Sequence, residues 1–152
     1  MIMNEQELSR WKQKLQSLDP YESEADCSMF FKLLDEVQGR TNEEVISVLL
    51  DTFTNADDYG VQERVLIVLG GSDPIEFASE LSKGFERLLA RSSEKEWPLI
   101  LLGRVFNTGD SNWIVPITDA ARSNPVLRDF LRSDDFLAGY PEVKAILNKA
   151  GV

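Results

Sequence analysis

Leu8, Trp11, Leu15 and Leu18 follow one another at steps of three, four and three. That spacing puts them on one face of an amphipathic helix over Asn4 to Leu18, with Asn4 as N-cap and Asp19-Pro20 as its end. From Ser23 to Gln38 the apolar stripe is Ala25, Met29, Phe30, Leu33, Leu34 and Val37, and Gly39 supplies the stop. Thr41 or Asn42 caps a third helix, whose first turn holds Glu43 and Glu44 where the helix dipole favours acids. This helix is predicted to bury Val45, Ile46, Val48, Leu49, Leu50 and Phe53, leaving Glu44, Ser47 and Asp51 on a polar edge. Asn55 to Gly60 reads as a turn, and Val61 to Leu69 as a short buried helix stopped by Gly70-Gly71. Pro74 to Arg91 brings Phe77, Leu81, Phe85 and Leu88 round at helical steps. Asp110 or Ser111 caps a helix with Trp113, Ile114, Ile117, Ala120 and Ala121, in which Pro116 predicts a late start or a kink. Asn124-Pro125 opens a short helix with Val126, Leu127, Phe130 and Leu131, and Pro141 opens the last, with Val143, Ile146 and Leu147.

The stretch Glu96 to Asn107 differs from these because it is apolar on nearly every side, with Arg104 the only charge after Glu96. It reads as a buried helix, and Pro98 confines its start to about Glu94 to Trp97, where a missing N–H costs nothing. An earlier stretch echoes it: Val65 to Gly71 is V-L-I-V-L-G-G and Pro98 to Arg104 is P-L-I-L-L-G-R, 33 residues later. Helix starts near residues 42, 60, 74, 95, 110 and 125 give steps of 30 to 36 when every second one is taken, the length of a stacked helix pair. No alternating strand pattern is bounded by hairpin turns. The expected fold is therefore all-α, a single domain over 1–152. Its helices form stacked antiparallel pairs, either as a short HEAT/armadillo-like solenoid or as a bundle.

Composition narrows the chemistry. At 152 residues, 43% hydrophobic and 28% charged, the chain has the usage of an ordinary globular domain. Its beginning, Met1-Ile2-Met3-Asn4-Glu5, lacks the basic and apolar runs of a secretion signal, and no segment has the apolar length of a membrane span. A cytoplasmic protein with no membrane partner is expected. Cys27 is the only cysteine and reads as core filling. There is no histidine, which removes Ser-His-Asp, Cys-His and H-E-x-x-H chemistry. Asn55 to Gly60 begins like a calcium loop but puts Tyr59 at position five and Leu66 at position twelve. No glycine-rich phosphate cradle is present. The pairs Asp57-Asp58 and Asp134-Asp135 are adjacent carboxylates, which do not face each other on a helix and have no partner motif. The reading is of a non-enzyme without metal or cofactor. Trp11, Trp97 and Trp113 lie on apolar stripes and are expected in the core.

Charge adds a direction. The net charge is −10, and between Asp19 and Glu63 twelve acids face two bases, Lys32 and Arg40, while the remaining residues hold fourteen of each sign. Acidic helix faces are ordinary, but that reading predicts bases interspersed among the acids. A surface so biased repels nucleic acid and speeds association with a basic partner in a salt-dependent way. The candidate binding residues are Glu22, Asp26, Asp35, Glu36, Glu43, Glu44, Asp51, Asp57, Asp58 and Glu63, with Tyr59 the aromatic expected at such an interface.

The apolar helix W-P-L-I-L-L-G-R-V-F-N (Trp97 to Asn107) follows L-S-K-G-F-E-R-L-L (Leu81 to Leu89) among short helix pairs in an acidic chain. This pattern, over residues 42 to 132, resembles the helical-repeat immunity proteins of bacterial contact-dependent growth inhibition and related polymorphic toxin systems. The resemblance implies a protein that binds the C-terminal toxin domain delivered by a neighbouring cell and occludes its active site or substrate surface. Such toxins are often basic nucleases, which suits an acidic binding surface. No interface residue carries over by motif. An α-helical scaffold or adaptor that holds a peptide or protein partner is the alternative, and a cleft lined by converging acids would revive a carboxylate enzyme.

Overall fold

The computed structural model describes residues 3–56 and 60–152. Among them lie ten α-helices and no strand: α1 (Glu5–Ser17), α2 (Glu24–Val37), α3 (Glu43–Leu50), α4 (Val61–Gly70), α5 (Pro74–Arg91), α6 (Glu96–Asn107), α7 (Ser111–Arg122), α8 (Pro125–Leu131), α9 (Asp134–Gly139) and α10 (Val143–Ala150). The all-α expectation holds.

Local chemistry sets most of the helix starts. The side chains of Asn4, Ser23, Asn42, Asp73, Asp110, Asn124 and Ser133 each accept a hydrogen bond from a backbone N–H of the first turn. Each such cap is worth about 1 kcal/mol. α4, α6 and α10 begin without one. α10 starts from Glu142 in the right-handed region, whereas α4 and α6 start from left-handed residues, Gly60 at φ 97° and Lys95 at φ 65°, the latter the one non-glycine in that region among the described residues.

Three elements depart from the sequence pattern. Phe53 is buried but lies past the end of α3, where it packs against the Trp97 ring at 5.4 Å between centroids. α7 starts at Ser111 and runs through Pro116. The proline sits early enough that only the carbonyl of Asn112, an exposed residue, loses its helical partner. α9 had no counterpart among the expected helices, because it buries a single side chain, Phe136, and six residues are too few to show a period.

Alternate helices pack together. α3, α5 and α7 lie side by side as one layer, α2 lies on α4 in a second, and α1 rests on α2 and α3. This is how stacked helix pairs cover one another's apolar faces. α8 and α9 close the end of the stack against α5, α6 and α7. The core is one continuous cluster from Met3 to Leu147. Within it the Trp11 indole donates to the Leu33 carbonyl at 2.9 Å, and Cys27 sits half-buried at the edge. The even-numbered layer is interrupted: α2 packs on α4, but α4 and α6 do not run along each other.

The echoed segments meet different surroundings. Gly70 in α4 is exposed with open space where a Cβ would stand, whereas a Cβ on Gly103 in α6 would overlap the Tyr140 ring. Tyr140 itself stacks at 5.1 Å on Phe136. In α6 the buried residues include Trp97, Leu101, Leu102, Val105 and Phe106, while Leu99 and Ile100 are half-buried.

Candidate functional site

The acids of α3 and its C-cap lie between bases of α1 and α5. Lys12 Nζ stands 3.5 Å from Glu44 Oε1, and Arg87 Nε stands 3.3 Å from Asp51 Oδ1, while Arg91 donates to the Asp51 carbonyl at 2.9 Å. The Lys83 ammonium is held above its ordinary value, chiefly by its hydrogen bond with Glu80 and that carboxylate's charge, with Glu43 adding a further contribution. Asp35 Oδ1 accepts from Arg64 at 2.9 Å, and the same guanidinium covers the Phe31 ring at 4.8 Å. Lys12, Arg64, Lys83 and Arg87 all come from outside the acidic third of the sequence. Folding thus interleaves charges that are segregated along the chain. Arg40, inside that third, turns instead to Glu7 at 3.3 Å.

Asp26 is occupied locally. Its Oδ2 accepts from the backbone N–H of Asp19 at 2.8 Å, fastening the connection between α1 and α2. By contrast Glu22, Glu24 and Glu63 are exposed and form no ion pair among the described residues, whereas Glu36, exposed and also without an ion pair, lines a pocket with Arg10, Lys14 and Arg40. The first three flank and line α2 and open α4. Asp57, Asp58 and Tyr59 lie outside the described residues. The binding set read from the sequence therefore divides in two. α1, α3 and α5 together carry seven acids and six bases, whereas α2 and α4 carry five acids and two bases. Exposed ion pairs contribute only about 0 to 1 kcal/mol each, but they cancel the local field that would steer a basic partner. That field survives best on the α2 and α4 wall.

Gln62 was not legible as a positioning residue. Its side chain is fully buried at the start of α4, where Oε1 accepts from the Thr54 N–H at 2.7 Å and Nε2 donates to the Ala56 carbonyl at 3.1 Å. It ties down residues 54–56, which precede Asp57 and Asp58 in the sequence. The glutamine looks like any polar residue of a first helical turn until residues 54–56 fold back on it.

A second surface lies where α4 and α6 part. The gap is a groove of about 340 Å³. Leu66 and Leu69 of α4 face Leu101 and Val105 of α6 across it, and Phe77 of α5 and Trp113 of α7 complete the walls. Trp113 is half-buried, not a core residue like Trp11 and Trp97; its ring meets Phe77 edge to face at 5.6 Å. Arg104 is the one charged residue lining the groove. Asp134 and Asp135, the other adjacent carboxylates, are exposed in the first turn of α9, with Asp135 3.9 Å from Lys95 Nζ. Among the described residues, no helix is long and apolar enough to cross a membrane.

No family model, curated protein or solved structure matches the chain.

Proposed function

We propose that this chain is an immunity protein, which binds a basic toxin domain through the α2 and α4 wall and blocks the toxin's active site or substrate surface. The observation that carries the reading is the separation just described. Bases from α1 and α5 interleave with the acids of α3, whereas Glu22, Glu24 and Glu63 remain exposed without an ion pair. Uncompensated acids on one wall raise the association rate with a basic surface and make it fall with salt. The helical-repeat pattern of residues 42 to 132 supports the same reading by resemblance.

The test is a pull-down of the product of the adjacent upstream gene at low and at high salt. Capture at low salt that weakens at high salt is expected, and no capture at low salt would sink the proposal. Reversing Glu22, Glu24 and Glu63 to lysine together should weaken capture by at least tenfold. Reversing Glu43 and Glu44, which lie among bases, should weaken it less. The opposite order would move the interface to the α3 layer.

A further inference from the structure

Resting on the immunity reading, we propose that Ile67, bordered by the stacked pair of Arg64 and Phe31, is the apolar anchor of the α2 and α4 wall, and that the toxin domain it fits presents a large apolar side chain flanked by Lys or Arg. The charged wall alone needs no such anchor, so the two statements can fail separately.

Three observations place the anchor. The first is the outward strip of α4. Ile67 is 51% exposed, and Glu63 four residues before it and Gly70 three residues after it are exposed as well. That spacing puts the three on one face of the helix. A lone exposed isoleucine is ordinary, but Ile67 is the one large exposed hydrophobic among the described residues that lies on the wall with uncompensated acids; Ile75 and Val115 belong to α5 and α7.

The second observation is a rigid neighbour. Arg64, three residues before Ile67, adjoins it on the helix surface and reaches across to α2. There it donates to Asp35 at 2.9 Å and covers the half-buried Phe31 ring at 4.8 Å. A side chain held in place before binding loses little freedom when a partner arrives. An arginine, an aromatic ring and a large aliphatic side chain together make the kind of patch on which interface energy concentrates.

The third observation is charge, and it chooses the occupant. Glu63 adjoins Ile67, and Glu24 lies two turns before Phe31 on the same line of α2; neither forms an ion pair among the described residues. Lys32, the one base of α2, lies about 100° round the helix from Phe31. An apolar centre rimmed by acids is complementary to an apolar knob rimmed by bases. Nucleic acid and anionic membrane surfaces would meet repulsion from the same acids.

The test measures binding kinetics of the full chain with the product of the adjacent upstream gene, by surface plasmon resonance at two salt concentrations. Charges steer encounter and set the association rate, whereas an apolar contact forms afterwards and sets dissociation. Ile67→Ala should therefore quicken dissociation about tenfold while the association rate and its salt dependence stay unchanged. Alanine at an exposed helical position keeps the fold. Arg64→Lys, which retains the charge beside Asp35 and removes the planar cover on Phe31, should quicken dissociation to a smaller extent. Val115→Ala, 49% exposed on α7, should change neither rate. A photoreactive benzoylphenylalanine in place of Ile67 should cross-link to a toxin segment that holds an apolar residue beside Lys or Arg. Unchanged dissociation with Ile67→Ala, an equal effect of Val115→Ala, or a cross-link to an acidic segment would overturn the anchor, while salt-dependent capture would leave the charged wall standing. No capture of the product at low salt would end both.

Discussion

Gly70 and Gly103 occupy the same position in the two echoed segments, yet alanine should act on them with opposite sign. In an exposed helical position, glycine to alanine is worth up to about 1 kcal/mol of stability through backbone entropy and helix propensity. Gly70 has this situation, with nothing within 4 Å of a built Cβ, although its place at the end of α4 reduces the gain. At Gly103 the same Cβ would overlap Cζ and Oη of Tyr140 and come within 2.5 Å of Cε2. Ordinary contact would require the ring to retreat by about 1.5 Å, and the ring is backed by Phe136 at 5.1 Å. Overpacking of this kind costs about 1 to 3 kcal/mol. Set against the propensity gain, Gly103→Ala should lose about 1 to 2 kcal/mol, a fall in Tm of roughly 2 to 8 °C for a chain of this size. Gly70→Ala should leave Tm unchanged or raise it by up to about 4 °C. Urea unfolding of both variants and of Tyr140→Leu, alone and with Gly103→Ala, checks the origin: the tyrosine substitution should remove most of the glycine effect. Equal shifts for the two alanines, or a Gly103→Ala penalty that persists without Tyr140, would refute the claim that α6 is held by the C-terminal helices through this contact.

Two further substitutions probe buried polar links. Gln62→Leu should cost about 2 to 4 kcal/mol in urea unfolding, because it leaves the Thr54 N–H and the Ala56 carbonyl without their buried partner; exchange of the Thr54 amide should quicken more than that of the core helices. Trp11→Phe should cost about 1 to 2 kcal/mol, since it removes one hydrogen bond and some buried area while the Leu33 carbonyl keeps its place in the ladder of α2.

Much of the fold could be read along the chain because its causes are local. Asn4, Ser23, Asn42, Asp73 and Asn124 each stand just before an apolar stripe, and each caps a helix there. The bounds of α5, Pro74 to Arg91, were legible for the same reason. α9 was hidden because Ser133-Asp134-Asp135 resembles a surface acidic pair until Phe136 finds Phe106 and Tyr140. Trp113 was placed in the core by its stripe, but a helical period says which face points inward, not whether a neighbour arrives to cover it. None does on the α4 side, and the ring becomes a groove wall.

What the sequence determined by itself is the helices other than α9, their apolar faces, the excess of acid between Asp19 and Glu63 and the absence of histidine chemistry. These follow from composition and from interactions a few residues apart. Tertiary structure decided which charges remain uncompensated and where the apolar surface stays open. Lys12 reaches Glu44 across 32 residues, Arg87 reaches Asp51 across 36, and Tyr140 closes on Gly103 from the far end of the chain. Coulomb attraction and steric contact depend on distance in space, and only the stacking of alternate helices sets those distances.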